Sequence, residues 1–281
     1  MRVLSRQDSF NPLGIEAVRG ALDDDEALSR FVAGATLLFH CAAELTDEAR
    51  MWPVNVAATE RLLQLSAAVG IKHFSYMSSV GVVGKAQQKW VDEQTPCDPQ
   101  NTYERSKRAA EAQVARGIPG CATVILRPTD VVDQDRPGVL VAPRRRSWAD
   151  LAKLILTGGE CAHIVHAEDV ADAAVHLIDH SVGAVETFNV SCDHEPFNSL
   201  SELWPLFQAY RNGAVDVASV RAKPHLPIAA PYLLRRALRG TGNWGDVRYR
   251  ADKLLKTGFT FRLGVKGAVR QIASPVAGSG L

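Results

Sequence analysis

Short apolar runs alternate along this chain with longer stretches of helical spacing, and that alternation constrains the fold more than any other feature. The stretch 35–43, "ATLLFHCAA", reads as a buried strand, and 55–70, "NVAATERLLQLSAAVG", as an amphipathic helix with Gly70 at its C-cap. The stretch 73–79, "HFSYMSS", is a second strand, and 101–117, "NTYERSKRAAEAQVARG", a helix capped by Asn101 and stopped at Gly117. Residues 122–128, "ATVILRP", form a strand ended by proline, 167–180 a helix and 186–191 a strand. Strands that take turns with helices build a parallel sheet covered on both faces. From about Asp193 helical segments dominate, broken at Pro224, Pro227, Gly240 and Gly245. The expected organisation is α/β, with a doubly wound parallel sheet over 1–191 and a smaller, mainly helical lobe over 192–281.

Composition narrows the function classes. The 281 residues are 46% hydrophobic and 22% charged with a net charge of +1, so no global field draws the chain to nucleic acid or an anionic membrane. No apolar run approaches the ~18–20 residues that span a bilayer, and no signal-peptide pattern precedes the first strand. A cytoplasmic protein with a small-molecule substrate is expected. Cys41, Cys97, Cys121, Cys161 and Cys192 are odd in number and form no C-x-x-C pair, which favours reduced thiols. Cys161, His163, His166, His176 and His180 have no recognised metal-ligand spacing, so no metal is expected.

Tyr103 and Lys107 stand four apart in the helix over 101–117 and so share a face. A free phenol titrates near ~10, and a neighbouring ammonium lowers that value, which gives the pair a use in proton transfer. The same spacing also suits a solvated helix surface. Ser78 and Ser79 end the preceding strand, where parallel sheets line their crevices.

With these residues in place the chain resembles the extended short-chain dehydrogenase/reductases, the NAD(P)-dependent epimerase/dehydratase group. The resemblance is carried in order by "VRGALDDDEAL", "LFHCAAE", "NVAATERLL", "HFSYMSSVGVVG", "VDEQTPCDPQNTYERSK", "ILRPTDVV", "IVHAEDVADAAVHLI", "ETFNVS" and "DKLLKTGFTFRLGVKGAVRQI". It implies a Rossmann-like domain, a Ser-Tyr-Lys site made of Ser79, Tyr103 and Lys107, and a homodimer formed through the Tyr-Lys helix. Tyr103 would be general acid/base, and Lys107 would lower its pKa and hold the cofactor ribose. Cofactor contacts are implied for Arg6, Leu22, Asp24, Cys41, Ala42, Ala43, Asn55, Tyr103, Lys107 and Pro128. Substrate contacts are implied for Ser79, Asp130 and Arg144.

The chain departs from the family pattern in four places. The first strand and its G-x-x-G-x-x-G turn are not found, and Met1 falls where about residue 30 of a relative would, given a unit of that length. "GTGNWG" (240–245) fits G-x-G-x-x-G literally but follows a helical pattern rather than a strand. Arg6, in place of an acidic residue after the second strand, suits a 2′-phosphate and favours NADP(H) over NAD. Val80-Gly81 replaces the Asp-Glu of the dehydratases, and Asp130 replaces an asparagine tied to nucleotide-sugar binding. Oxidoreduction or epimerization of a carbinol or ketone, with sugar-derived substrates among the candidates, is therefore the expected activity. A cofactor-deficient, N-terminally truncated relative with a binding or regulatory role is the alternative.

Overall fold

Strand β1 (Arg2–Ser5) pairs in parallel with β2 (Glu16–Arg19), Val3 lying opposite Ala17. The computed structural model describes residues 1–7, 14–86, 88–140, 148–180, 184–218, 220–227 and 247–274. A second sheet has the order β3-β4-β6-β9, from β3 (Leu37–His40), β4 (His73–Met77), β6 (Ala122–Pro128) and β9 (Val185–Val190). In it β3, β4 and β6 run parallel. β4 and β6 are buried almost throughout, as expected of strands covered on both faces. Two further parallel pairs join β7 (Asp130–Val132) to β8 (Ile164–His166), and β5 (Trp90–Val91) to β10 (Arg248–Tyr249).

The chain divides into two compact units, each assembled from separated segments. The first comprises Met1–Val82, Pro99–Arg127 and Leu177–Phe188, and the second Val83–Asp98, Pro128–His176 and Asn189–Leu281. The expected division is into the contiguous stretches 1–191 and 192–281; the two units are instead interleaved, with residues 83–98 and 128–176 in the second.

In the first unit, helices α1 (Asp25–Val32), α3 (Ala58–Val69) and α4 (Thr102–Val114) supply Leu28, Val32, Leu62, Ala110 and Val114 to one apolar core with Leu38, Phe74, Tyr76 and Ile125. Gly70, in the left-handed region at φ 70°, caps α3, where a side chain would be strained. Short α2 (Glu48–Trp52) runs through a π-turn (Pro53–Ala57) into α3, so the helix expected from residue 55 starts earlier and with a wider turn.

In the second unit, α7 (Leu200–Arg211) buries Leu203, Leu206 and Phe207, and α9 (Gly264–Ala273) buries Val265, Ala268 and Val269. The remaining helices are α5 (Trp148–Thr157), α8 (Asp252–Leu255) and α6 (Ala167–His180), whose residues from Leu177 on are counted with the first unit. The Asp169 carboxylate accepts the N–H groups of Leu263 and Gly264 at 3.0 and 2.9 Å, which satisfies the otherwise orphaned start of α9. No helix among the described residues is long and apolar enough to cross a membrane. The stretches "PYLLRRAL" and "GTGNWG" and the arginines 144–146 lie outside the described residues.

Candidate active site

α4 forms because Asn101 caps it: its side chain accepts the Glu104 N–H at 2.9 Å, and the following thirteen residues contain no glycine or proline. Tyr103 sits in the first turn, half-buried, and Lys107 one turn on is 2% exposed. Ser79 follows β4 as the chain enters a 3₁₀ turn (Val80–Val83). The Ser79 hydroxyl accepts the Gly81 N–H at 3.0 Å and lies near enough to the Tyr103 phenol to draw its pKa down in part. A hydroxyl and a phenol thus converge at the carboxyl end of a parallel strand. A Cβ on Gly81 would lie 3.2 Å from Ser79 Oγ and 3.4 Å from Glu104 Cγ, so a longer side chain there would crowd this pair.

Lys107 takes a different place from the one its spacing suggested. Its ammonium donates to the Met77 carbonyl and lies 4.5 Å from the centroid of the Tyr76 ring. Burial pushes its pKa down to about 8, while Glu111 and Cys41 pull the other way. Tyr103 is not lowered: burial raises its phenol above the ordinary value, Ser79 offsets this in part and Glu104 adds to it. The expected lowering by Lys107 is corrected on this point. The shared helix face puts the two side chains on one side, but β4 captures the ammonium.

A chain of hydrogen bonds behind the pair was not anticipated. Thr59 donates to the Asn55 carbonyl at 2.7 Å, leaving its oxygen to accept from His40 Nε2 at 2.9 Å. His40 therefore carries its proton on Nε2. The Asn55 side chain accepts the Glu44 N–H (2.7 Å) and donates to the Glu44 carbonyl (3.0 Å) and to Ser106 Oγ (3.0 Å). Asn55 thus ties the loop after β3 to α4. The Glu44 carboxylate, held by the N–H groups of Thr46, Asp47 and Leu45 and by the Thr46 hydroxyl, is lowered to about 2.

His40 is 3% exposed and its pKa is lowered to about 3, first by burial and then by the Lys107 charge. A depressed histidine pKa stabilises the fold above the unfolded value of 6.5, and that stability drains as pH falls towards 3. The His40 contribution alone should cost about 2 kcal/mol between pH 7.5 and pH 5. His73, also lowered by burial, adds to the slope in the same direction. Denaturant unfolding of the protein and of His40→Gln across this range tests it. The variant should show a markedly shallower slope than the parent; equal slopes would remove His40 as the cause.

A cavity of about 1070 Å³ opens beside these residues, lined by β1, β3 and the segments that follow them. Arg6, Leu22, Cys41, Ala42 and Ala43 line it. Asp24, expected beside an adenine, instead caps α1 by accepting the Ala27 N–H at 3.0 Å. Pro128 closes β6. Asp130 begins β7 in the second unit, and Arg144 lies outside the described residues. For a dinucleotide the cavity lining offers the cations of Arg6 and Arg50 but, among its described residues, no glycine-rich turn with bare N–H groups to cradle a pyrophosphate.

One metal-like cluster forms in the second unit. Cys161, His163 and Asp193 present ligand atoms within 4.8 Å of one another, although Asp193 lies too far along the chain for the spacing to have shown it. Its carboxylate already accepts from His163 Nδ1 (2.7 Å) and the Tyr249 N–H (2.9 Å), and burial pushes the Cys161 thiol up to about 12.

Comparison with known proteins agrees with this architecture. The model of the NAD dependent epimerase/dehydratase family matches residues 2–191. The UDP-glucose 4-epimerase of Vibrio cholerae is 29% identical over 181 residues, covering 57% of this chain and 53% of its own. Sterol demethylase protein B of Methylococcus capsulatus is 29% identical over 132 residues, 44% and 40% of the two chains. The chain spans about half the length of the curated relatives it matches. Among solved structures, a short-chain dehydrogenase/reductase superfamily protein from Agrobacterium tumefaciens with bound NAD superposes with a TM-score of 0.70 at 22% identity, covering 97% of this chain and 88% of that one. MoeE5 in complex with UDP-glucuronic acid and NAD gives 0.67 at 20% identity, with 97% and 89% covered. These likenesses establish the Rossmann-like parallel α/β fold. With two thirds of its length matched by the family model, the chain belongs to the NAD dependent epimerase/dehydratase family.

Proposed function

We propose that the protein is an NAD(P)-dependent oxidoreductase or epimerase that acts on a carbinol or ketone, with sugar-derived substrates among the candidates, through Ser79, Tyr103 and Lys107. The observation that carries this reading is the Ser79 hydroxyl just past the end of β4, close enough to the half-buried Tyr103 phenol to favour its ionised form, with Tyr103 one helical turn from a buried lysine. Ser79 holds the substrate oxygen, and the Tyr103 phenol gives that oxygen a proton or takes one from it. Lys107 contributes positive charge from below the surface, sustained by Glu111. A nicotinamide cofactor, when bound, supplies the hydride donor or acceptor. The crowding at Gly81 disfavours the carboxylate that elimination of water would need there.

Within this reading Arg6, on the cavity wall, pairs with a 2′-phosphate and favours NADP(H). Calorimetric titration of NAD(H) and NADP(H) into the protein tests both points. Micromolar binding supports the enzyme reading, and Arg6→Ala should weaken NADP(H) by about tenfold while leaving NAD(H) unchanged, the loss of one charged hydrogen bond. Equal losses would remove the preference for NADP(H). The lack of a glycine-rich turn among the described lining residues favours a second reading, a cofactor-deficient relative with a binding or regulatory role. No binding of either nucleotide to the folded protein would select it.

A further inference from the structure

Cys161, His163 and Asp193 each offer one ligand atom, and the three atoms lie within 4.8 Å of one another. Points so spaced all lie within about 2.8 Å of a common centre. Shifts of less than about 1 Å therefore reach the ~2.0–2.3 Å bonds that zinc makes to oxygen, nitrogen and sulfur. His163 Nδ1 and Asp193 Oδ2 are now 2.7 Å apart with a proton between them, and a tetrahedral ion would spread them to about 3.3 Å.

The surroundings hold these ligands in place. The Asn198 side chain accepts the Ile164 N–H at 3.4 Å and donates to the Cys192 carbonyl at 3.0 Å, so one amide clasps the neighbours of both His163 and Asp193. The Ala162 N–H donates to the Asn198 carbonyl at 2.8 Å, and the His163 carbonyl accepts the Asp130 N–H at 2.8 Å. The Tyr249 N–H orients the Asp193 carboxylate. Outer contacts of this kind aim metal ligands. His163 also holds its backbone at φ 56°, a left-handed conformation that a side chain adopts at a cost, and such outliers gather at functional sites.

A thiol nucleophile is a poor fit here, because Nδ1 of the imidazole serves the carboxylate and not the sulfur. Magnesium and calcium take oxygen ligands, and more of them. Thiolate, imidazole and carboxylate together suit a borderline-soft ion of tetrahedral habit. Charge agrees with that choice. A thiolate and a carboxylate carry two negative charges, which a divalent ion cancels where Cys161 is 6% exposed and the Asp193 side chain 1%. The Arg248 charge favours the thiolate, although it opposes the ion itself. We propose that Cys161, His163 and Asp193 form a zinc site with three protein ligands and a fourth position open to water beside His163, the most exposed of the three. On binding, the Cys161 thiol releases its proton to solvent, and the neutral imidazole carries its proton on Nε2, which frees Nδ1 for the metal. The ion ties the segment before β8 to the segment after β9. The site lies in the second unit and uses none of Ser79, Tyr103 and Lys107, so it goes beyond the proposed activity. It also overturns the expectation of no metal, since Asp193, thirty residues beyond His163, completes the set.

The test is titration of Co²⁺, then of Zn²⁺, into the reduced, untagged, metal-stripped protein without nucleotide. Co²⁺ should bind one-to-one and give the charge-transfer absorption of a thiolate ligand, which Zn²⁺ then abolishes by displacement. Bound zinc should raise the thermal midpoint of the parent. Cys161→Ser should lose the absorption and bind zinc at least tenfold more weakly. His163→Asn, whose new side chain tolerates the left-handed backbone, should keep the absorption but weaken zinc at least tenfold. Cys97→Ser, a thiol outside the set, should change neither. No thiolate absorption in parent protein that circular dichroism shows to be folded would overturn the proposal. So would absorption that persists in Cys161→Ser or vanishes in Cys97→Ser. Should Cys161→Ser fail to fold, His163→Asn decides alone, and unchanged zinc affinity in it would overturn the site.

Discussion

Tyr103→Phe is expected to lower turnover by about 10²–10⁴-fold while the protein folds as before, the range that one positioned general acid or base supplies. The substitution keeps the half-buried ring and removes only the oxygen that Ser79 engages. Because burial holds the phenol above its ordinary value, its two uses should differ with pH. Reduction of a ketone needs the protonated phenol, which is present throughout the neutral range. Oxidation of a carbinol needs the phenolate, so kcat should climb into the alkaline limb and that climb should vanish in Tyr103→Phe. Lys107→Met offers an internal control. The buried ammonium is held down to about 8, so removing it should cost activity without lowering thermal stability. Unchanged turnover in folded Tyr103→Phe would reject the catalytic assignment outright.

Glu111→Ala should destabilise the fold by about 3–5 kcal/mol, the cost of leaving a buried charge without its counter-charge. The Glu111 and Arg127 side chains are 1% and 5% exposed, and the guanidinium grips the carboxylate twice, at 2.8 Å through Nε and 2.8 Å through Nη2. Arg108 adds a third contact at 3.2 Å from the rim. The pair fixes α4, which carries Tyr103 and Lys107, against β6. A thermal melt should show a loss of about 6–20 °C for that energy in a chain of this size. Glu111→Leu combined with Arg127→Met should recover most of it, because neither charge is then buried. A single variant that melts within about 1 °C of the parent would show the pair to be dispensable. Glu111 also sustains the charge on Lys107, so its loss should push that lysine below about 8.

What the sequence disclosed follows from the range of the forces involved. The bounds of β6 and α6 were readable to the residue, because apolar runs and helical spacing are local and decide burial. The strand expected over 35–43 stops at His40, since Cys41–Glu44 is a loop gripped by the side chain of Asn55, and a tether from a distant amide leaves no periodic trace. Tyr103 and Lys107 could be placed on one face from their spacing. That Lys107 would find the Met77 carbonyl and the Tyr76 ring depended on a strand thirty residues upstream. Asp24 looked like a cofactor contact, yet an aspartate before "DEAL" is equally a helix cap, and the cap is what the backbone takes. The His40–Thr59–Asn55 relay had a faint signal in Asn55 and Thr59 four apart on a helical stretch, but nothing marked His40 as its end.

Interleaving of the two units has a consequence for how the chain is made. The first unit includes Leu177–Phe188, so its last segment is synthesised only after most of the second unit's Pro128–His176 stretch has already emerged. At about 5–20 residues per second, the stretch between the end of β6 and the end of β9 takes a ribosome about 3–12 s. Throughout that interval β6 waits for β9, its sheet neighbour, with apolar surface uncovered. Nascent chains of this protein should accordingly be long-lived clients of chaperones, and should acquire protease resistance late and in one step.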